Sequence, residues 1–250
     1  MLMTNRIKFQ SSISGFSILE MAIVMVIISI LLGGLLVPIS RTQEANNRIE
    51  TEDTLKEIVE ALYGFVQVNG YLPCPATDTS DGAESRTGLN PCTRAHGFVP
   101  SATLGISGPV NADGLLVDSW LNPFRYSVTF ANGGAFTDQI GMRASLAALA
   151  TTMGNLAPDL QVCDDAACGT AIASGLPAVV LSLGPNWIDV ATSSADEREN
   201  SAEVILNGYD LPNDSDFVVA LYTEDVFDDH VTWISPNILF TKMIAAGQLP

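Results

Sequence analysis

The feature that most constrains this chain is a run of apolar residues close to its start. From Gly15 to Ile39 it reads G-F-S-I-L-E-M-A-I-V-M-V-I-I-S-I-L-L-G-G-L-L-V-P-I, and after Glu20 no charge occurs from Met21 to Ser40. At about 1.5 Å of rise per residue, a helix over this run matches the ~30 Å hydrocarbon core of a bilayer. Glu20 breaks the pattern. A carboxylate near the start of a spanning helix costs several kcal/mol unless it is protonated, paired or close to the interface. That makes Glu20 a candidate functional residue, and Gly15 suggests its partner. If the chain were cut after Gly15, Phe16 would carry a new terminal ammonium about one turn from Glu20, and the ammonium of a neighbouring copy could meet the carboxylate more directly. A secretory signal peptide fits poorly, because its apolar region is about 7–15 residues long and ends at a small-residue cleavage site. A plain membrane anchor accommodates the run but gives no role to Gly15 or Glu20.

G-F-S-I-L-E followed by an unbroken apolar helix resembles the processing site of type IV prepilins and type II secretion pseudopilins. The resemblance implies that a prepilin peptidase cuts between Gly15 and Phe16 and methylates the Phe16 amine. It also implies that Glu20, the fifth residue of the mature chain, guides docking onto a neighbouring subunit. Pro38 falls about where many pilins carry a helix-loosening proline.

Charge gives the direction of insertion. Of 28 Asp and Glu, all but Glu20 lie from Arg41 onward; of 11 Lys and Arg, Arg6 and Lys8 precede Phe16, where no acid occurs. Bases on the short leading segment place it in the cytoplasm by the positive-inside rule, and the acidic remainder outside the inner membrane. A net charge of −17 disfavours nucleic acid, whose phosphates need a basic patch. Cys74, Cys92, Cys163 and Cys168 all lie in the exported part, where an even number of cysteines reads as disulfides with three possible connectivities. The local pairing of Cys74 with Cys92 and Cys163 with Cys168 is the simplest. A zinc site is disfavoured, since neither a C-x-x-C spacing nor a nearby histidine pair is present.

In chain order, 1–15 reads as a leader, 16–40 as a transmembrane helix, 41–69 as its amphipathic continuation, and 70–250 as a periplasmic head. Within 41–69, Ile49, Leu55, Ile58, Val59, Leu62, Tyr63, Phe65 and Val66 recur at helical spacing between charged residues. Asn69-Gly70 and Pro73 stop the helix. Tyr71 to Pro109 is rich in Pro and Gly and reads as loop. L-L-V-D-S-W, the turn-like L-N-P and F-R-Y-S-V-T-F form a hairpin pattern. D-S-W-L-N-P-F-R-Y is similar to the D-x-W-G-x-P-x-x-Y hairpin of pseudopilins, with Leu121 where glycine is usual. Arg143 to Ala150 fits a short helix. A-V-V-L-S-L-G reads as a buried strand, A-D-E-R-E-N as an exposed charged segment, and D-F-V-V-A-L-Y and H-V-T-W-I-S as two further strands. The C-terminal helix is opened by Pro236 and stopped by Gly247. The S-L-G-P-N, E-R-E-N, D-D-H-V-T-W-I-S and A-A-G-Q-L-P segments together resemble a pilin-like family with an enlarged head.

Two places invite a chemical reading. Asp228-Asp229-His230 could orient an imidazole, but no positioned nucleophile accompanies it and neighbours in a strand point to opposite faces; it reads as the polar start of a strand. Asp210, Asn213, Asp214 and Asp216 supply oxygens of the kind calcium takes, and major pseudopilins bind calcium in a C-terminal loop. Their spacing is not that of an EF-hand, and a solvated acidic loop is the simpler reading; no other cofactor is expected. The expected fold is α+β, a long N-terminal helix laid on an antiparallel sheet. The expected function is that of a minor pilin or pseudopilin, a non-enzymatic subunit of a type IV pilus or type II secretion filament. Its partners would be other pilins or pseudopilins, the prepilin peptidase, an inner-membrane assembly platform and membrane lipid, with no nucleic acid. The alternative is a membrane-anchored periplasmic enzyme or binding protein that does not polymerise.

Overall fold

The computed structural model describes residues 15, 17–88, 91–148, 153–187, 194–205, 215–223 and 226–249, with the side chains of 32–40 and 202–205 excepted. The chain divides into two units, Met1–Asn46 and Asn47–Pro250. Helix α1 spans Ile18–Asn69. In the first unit its described apolar side chains, from Ile18 to Leu31, are exposed. Among the described residues no helix is long and apolar enough to cross a membrane.

In the second unit α1 becomes one-sided. Leu55, Ile58, Leu62, Tyr63 and Val66 are buried at spacings of three and four while Glu57 and Glu60 stay outside that stripe. Each large apolar side chain so buried contributes about 1.5–3 kcal/mol. The stripe packs on a four-stranded antiparallel sheet made of β1 (His96–Phe98), β2 (Arg125–Val128), β5 (Ala178–Ser182) and β7 (His230–Ile234), in the order β1-β2-β5-β7. Tyr126, Val128, Val180 and Ile234 face α1. The alternate residues Val179 and Leu181 face the other way, into a second core with Leu160, Val162, Leu176 and Phe217. That core belongs to a three-stranded sheet ordered β4-β3-β6, with β3 at Leu160–Cys163, β4 at Ala171–Leu176 and β6 at Asp216–Val218. The layers are therefore helix, sheet, sheet. The main sheet is antiparallel, as the α+β reading expects, but β3 and β6 run parallel.

Short helices α2 (Ser101–Leu104), α3 (Ala131–Gly134) and α4 (Met142–Ala148) connect the sheets, followed later by α5 (Ala195–Ile205) and α6 (Pro236–Ala245). Disulfides join Cys74 to Cys92 and Cys163 to Cys168. The end of α1 is finished by a distant residue: the Gln248 side-chain amide donates to the carbonyls of Gln67 and Val68, while Gly70 turns the chain away at φ 80°.

The segment A-D-E-R-E-N corrects the sequence expectation. It lies in α5, and Glu197 and Asn200 are buried, because their polar ends find backbone and side-chain partners inside the head. The turn at Asp118 carries an unusual residue. Asp118 N–H donates to Asn122 O, Leu121 N–H donates to Asp118 O, and Leu121 sits at φ 69°, in the left-handed region that glycine tolerates and a branched side chain does not. Its side chain is 73% exposed and so gains little from packing. Leu121→Gly is expected to stabilise the protein by about 1 kcal/mol, the left-handed strain of ~1–2 kcal/mol less the entropy of the added glycine. Thermal unfolding should show a rise of about 2–4 °C, and a lower midpoint would mean the turn is not strained.

Candidate functional site

At the start of α1 the backbone has unpaired N–H groups, as every helix start does. Ser17 stands at the cap position. Its hydroxyl oxygen accepts from Leu19 N–H at 3.3 Å, and the Glu20 carboxylate reaches back to accept from Ser17 N–H, also at 3.3 Å. Ser17 O accepts from Met21 N–H at 3.1 Å. This is a capping box, and the S-I-L-E spacing is its sequence signature. The sequence reading gave Glu20 the Phe16 ammonium, its own or a neighbour's, as partner and missed this backbone one. Gly15 is exposed, and a Cβ added there would meet nothing within 4 Å. The fold itself does not require glycine at this position. Phe16 lies outside the described residues.

Residues 10–36 match the prokaryotic N-terminal methylation motif. This is the type IV prepilin-like signal, and it takes in Gly15, Phe16, Glu20 and most of the apolar run. No curated protein and no solved structure shows a significant match to the chain. The prepilin-like character therefore rests on the N-terminal segment.

The head of this prepilin-like chain carries a second cluster, assembled from three segments distant in sequence: S-L-G-P-N, E-R-E-N and D-D-H. Glu197 Oε1 accepts from Asn186 Nδ2 at 3.0 Å and from Asp228 N–H at 3.1 Å. Asn200 Nδ2 donates to Asp229 Oδ2 at 2.8 Å and to Val218 O at 2.9 Å, and its oxygen accepts from Val218 N–H. Asn200 thereby ties α5 to β6. Gly184 lies against Asp228 so closely that a Cβ would come within 2.3 Å of Asp228 Oδ1. Gly184 O accepts from Asn122 Nδ2, and Asp118, buried beside it, accepts from Ser182 Oγ and from the N–H groups of Trp120 and Asn122. Burial raises the Asp118 carboxyl above its usual range, and those hydrogen bonds partly offset the rise.

This arrangement ties together segments of the head that are distant in sequence. Ser182 and His230 are partners across β5 and β7, yet the Asp118 carboxylate faces the serine and not the imidazole. His230 stacks on Trp120 and lies 3.6 Å from the Glu52 carboxylate. His96 Nδ1 pairs with Ser127 Oγ in the interior. Among the described residues no group of three or more His, Cys, Asp or Glu side chains could hold a metal ion. Of the four candidate calcium ligands, Asp210, Asn213 and Asp214 lie outside the described residues. Asp216 accepts from Gln161 Nε2 at 2.8 Å and from Ser215 Oγ at 3.1 Å, at the start of β6.

Asp229 is a buried acid of the cluster whose proton is held by its surroundings. Burial raises its pKa well above 3.8; the nearby Glu197 and Asp228 carboxylates add to the rise and the Asn200 hydrogen bond opposes it. The folded state then holds this proton more tightly than the unfolded chain does. Its contribution to stability is full below the unfolded value and is lost as pH rises through the folded one. Asp229→Asn keeps an acceptor for Asn200 and removes the charge. It should raise the unfolding midpoint at pH 7, with the advantage shrinking to nothing as pH falls to about 3.8. A variant less stable than wild type at neutral pH would show that the ionised carboxylate is needed.

Proposed function

We propose that this chain is the precursor of a minor pilin or pseudopilin, a structural subunit of a type IV pilus or type II secretion filament. The observation that carries the reading is the methylation motif over residues 10–36, a stretch that contains Gly15 and Glu20. The apolar run from Met21 to Ser40 holds the precursor in the inner membrane, with Arg6 and Lys8 on the cytoplasmic side and the acidic head in the periplasm. A prepilin peptidase removes residues 1–15 and methylates Phe16. On an assembly platform, the subunit leaves the lipid for a filament of other pilins or pseudopilins. Its work is done by assembly and involves no catalytic step.

The physical logic of docking is electrostatic. In lipid, an ammonium and a carboxylate that meet on neighbouring helices relieve each other's desolvation, and removing one leaves the other uncompensated. The capping box adds a local role for the same carboxylate. The two roles separate by substitution. Glu20→Gln keeps a side-chain acceptor at the third helical position and loses the charge; Ser17→Ala loses the cap and keeps the charge.

Mass spectrometry of the protein from cells with an active prepilin peptidase should show a mature chain beginning at N-methylated Phe16. An intact precursor in such cells overturns the reading, and a bulky residue at Gly15 should leave the precursor uncut. In sheared filament fractions, Glu20→Gln should be lost nearly as completely as Glu20→Ala while membrane levels stay normal. Ser17→Ala should still assemble, since a lost cap costs only about 1 kcal/mol. Assembly of Glu20→Gln at wild-type level would remove the ion pair from the mechanism.

A further inference from the structure

Strand β7 forms one edge of the four-stranded sheet: its ladder partner is β5, in unbroken register from Ile234 opposite Ala178 to His230 opposite Ser182. Among the described residues, Val231 to Ile234 make no further hydrogen bond. An edge strand in this state presents alternate N–H and C=O groups with no protein partner. Proteins usually blunt such an edge with lysine, proline or a bulge, and H-V-T-W-I has none of these. By contrast β4, an edge of the second sheet, has register shifts at two places along its pairing with β3.

The β7 edge opens into a groove of about 330 Å³ whose walls include Arg48, Glu52, Lys56, Tyr222, Val231 and Thr232. Val231 and Thr232 point to opposite faces of their sheet, so their joint presence in one wall means that the backbone edge itself lines the groove. The opposite wall carries a defined charge. The Arg48 guanidinium carbon lies 3.6 Å from the centre of the Tyr222 ring, a cation–π contact. Arg48 Nε is buried and has no hydrogen-bond partner. Lys56, bonded to the exposed Asp53, stands on the same wall.

We propose that this groove binds an extended peptide segment of another protein, which adds to β7 as a further strand and places a carboxylate against Arg48. The ladder groups of β7 supply affinity for any extended backbone, and the apolar Val231 and Leu55 side chains favour uncharged residues along the segment. Arg48 supplies the selection for one acidic residue, through the positive charge its guanidinium places at the groove wall. The site lies wholly in the second unit, so it goes beyond the assembly reading and does not require that the chain polymerise.

The test uses the full-length protein in detergent and a terminally blocked probe peptide of sequence Thr-Val-Thr-Val-Asp. Hydrogen exchange should show slowed exchange within Val231 to Ile234 on peptide addition, with saturable binding by fluorescence anisotropy. A probe N-methylated on alternate backbone nitrogens should bind at least about tenfold more weakly, since it cannot complete a ladder. Arg48→Gln should weaken the Asp probe about tenfold while leaving the corresponding Asn probe unchanged. Because Arg48 is on a helix wall and not in the core, circular dichroism should confirm an unaltered fold, and Val231→Pro, whose backbone N–H faces away from β5, provides a second variant that blocks the edge without touching the charge. Equal binding of the N-methylated probe, or no saturable binding, overturns the proposal. So does concentration-dependent protection of β7 without peptide, which would give the groove to a second copy of the chain. Loss of processing at Gly15 would leave these results unchanged, which keeps the two readings distinguishable.

Discussion

Burial of β5 on both faces is the constraint through which the head holds together. Ala178 and Val180 look toward α1 and Val179 and Leu181 toward the second sheet, all of them 1% exposed or less. A strand of only apolar residues can be satisfied only between two layers. Once it is there, α1 must cover one side, and β3, β4 and β6 the other. The polar residue that ends the strand, Ser182, then reaches the Asp118 turn, so the same strand also sets where the buried polar cluster begins.

That cluster explains how a strongly acidic chain keeps carboxylates inside. Glu197, Asp228 and Asp229 are all buried. Each hydrogen bond drawn by Asn186, Asn200 and the Asp228 N–H offsets part of the desolvation. The cost that remains is visible in the raised Asp229 pKa. Removing an amide there is worse than removing an ordinary surface group, because a buried carboxylate would be left without its donor.

The parts of the fold legible in the sequence are those with a period. The stripe from Leu55 to Val66, the apolar run of β5, and the proline and glycine bracketing α6 all follow from local pattern. Strands β3 and β4 do not: C-D-D-A-A-C-G-T-A-I-A-S-G-L lacks alternation, and its strands exist through contact with β6 and the second core. The burial of Glu197 and Asn200 was hidden for the same reason, since charge on a short helix says nothing of a partner some thirty residues away in β7 and its approach. At the N-terminus, Gly15 and Glu20 stand out by motif, and the cap at Ser17 has its signal in the S-I-L-E spacing. The edge of β7 and the groove beside it could not be read at all, because they depend on which strand ends up outermost.

Gln248 gives the fold an order in time. The carbonyls it closes, at Gln67 and Val68, lie 181 and 180 residues earlier in the chain. Helix α1 is synthesised first, and its turns can form as soon as they emerge, because helical hydrogen bonds are local. Its last turn is different. Those two carbonyls wait on water until nearly the whole head has been threaded, paired and brought back against them. A nascent chain that stalls before α6 therefore has a helix with a frayed end. Gln248 thereby joins the first helix of the second unit to its last residues.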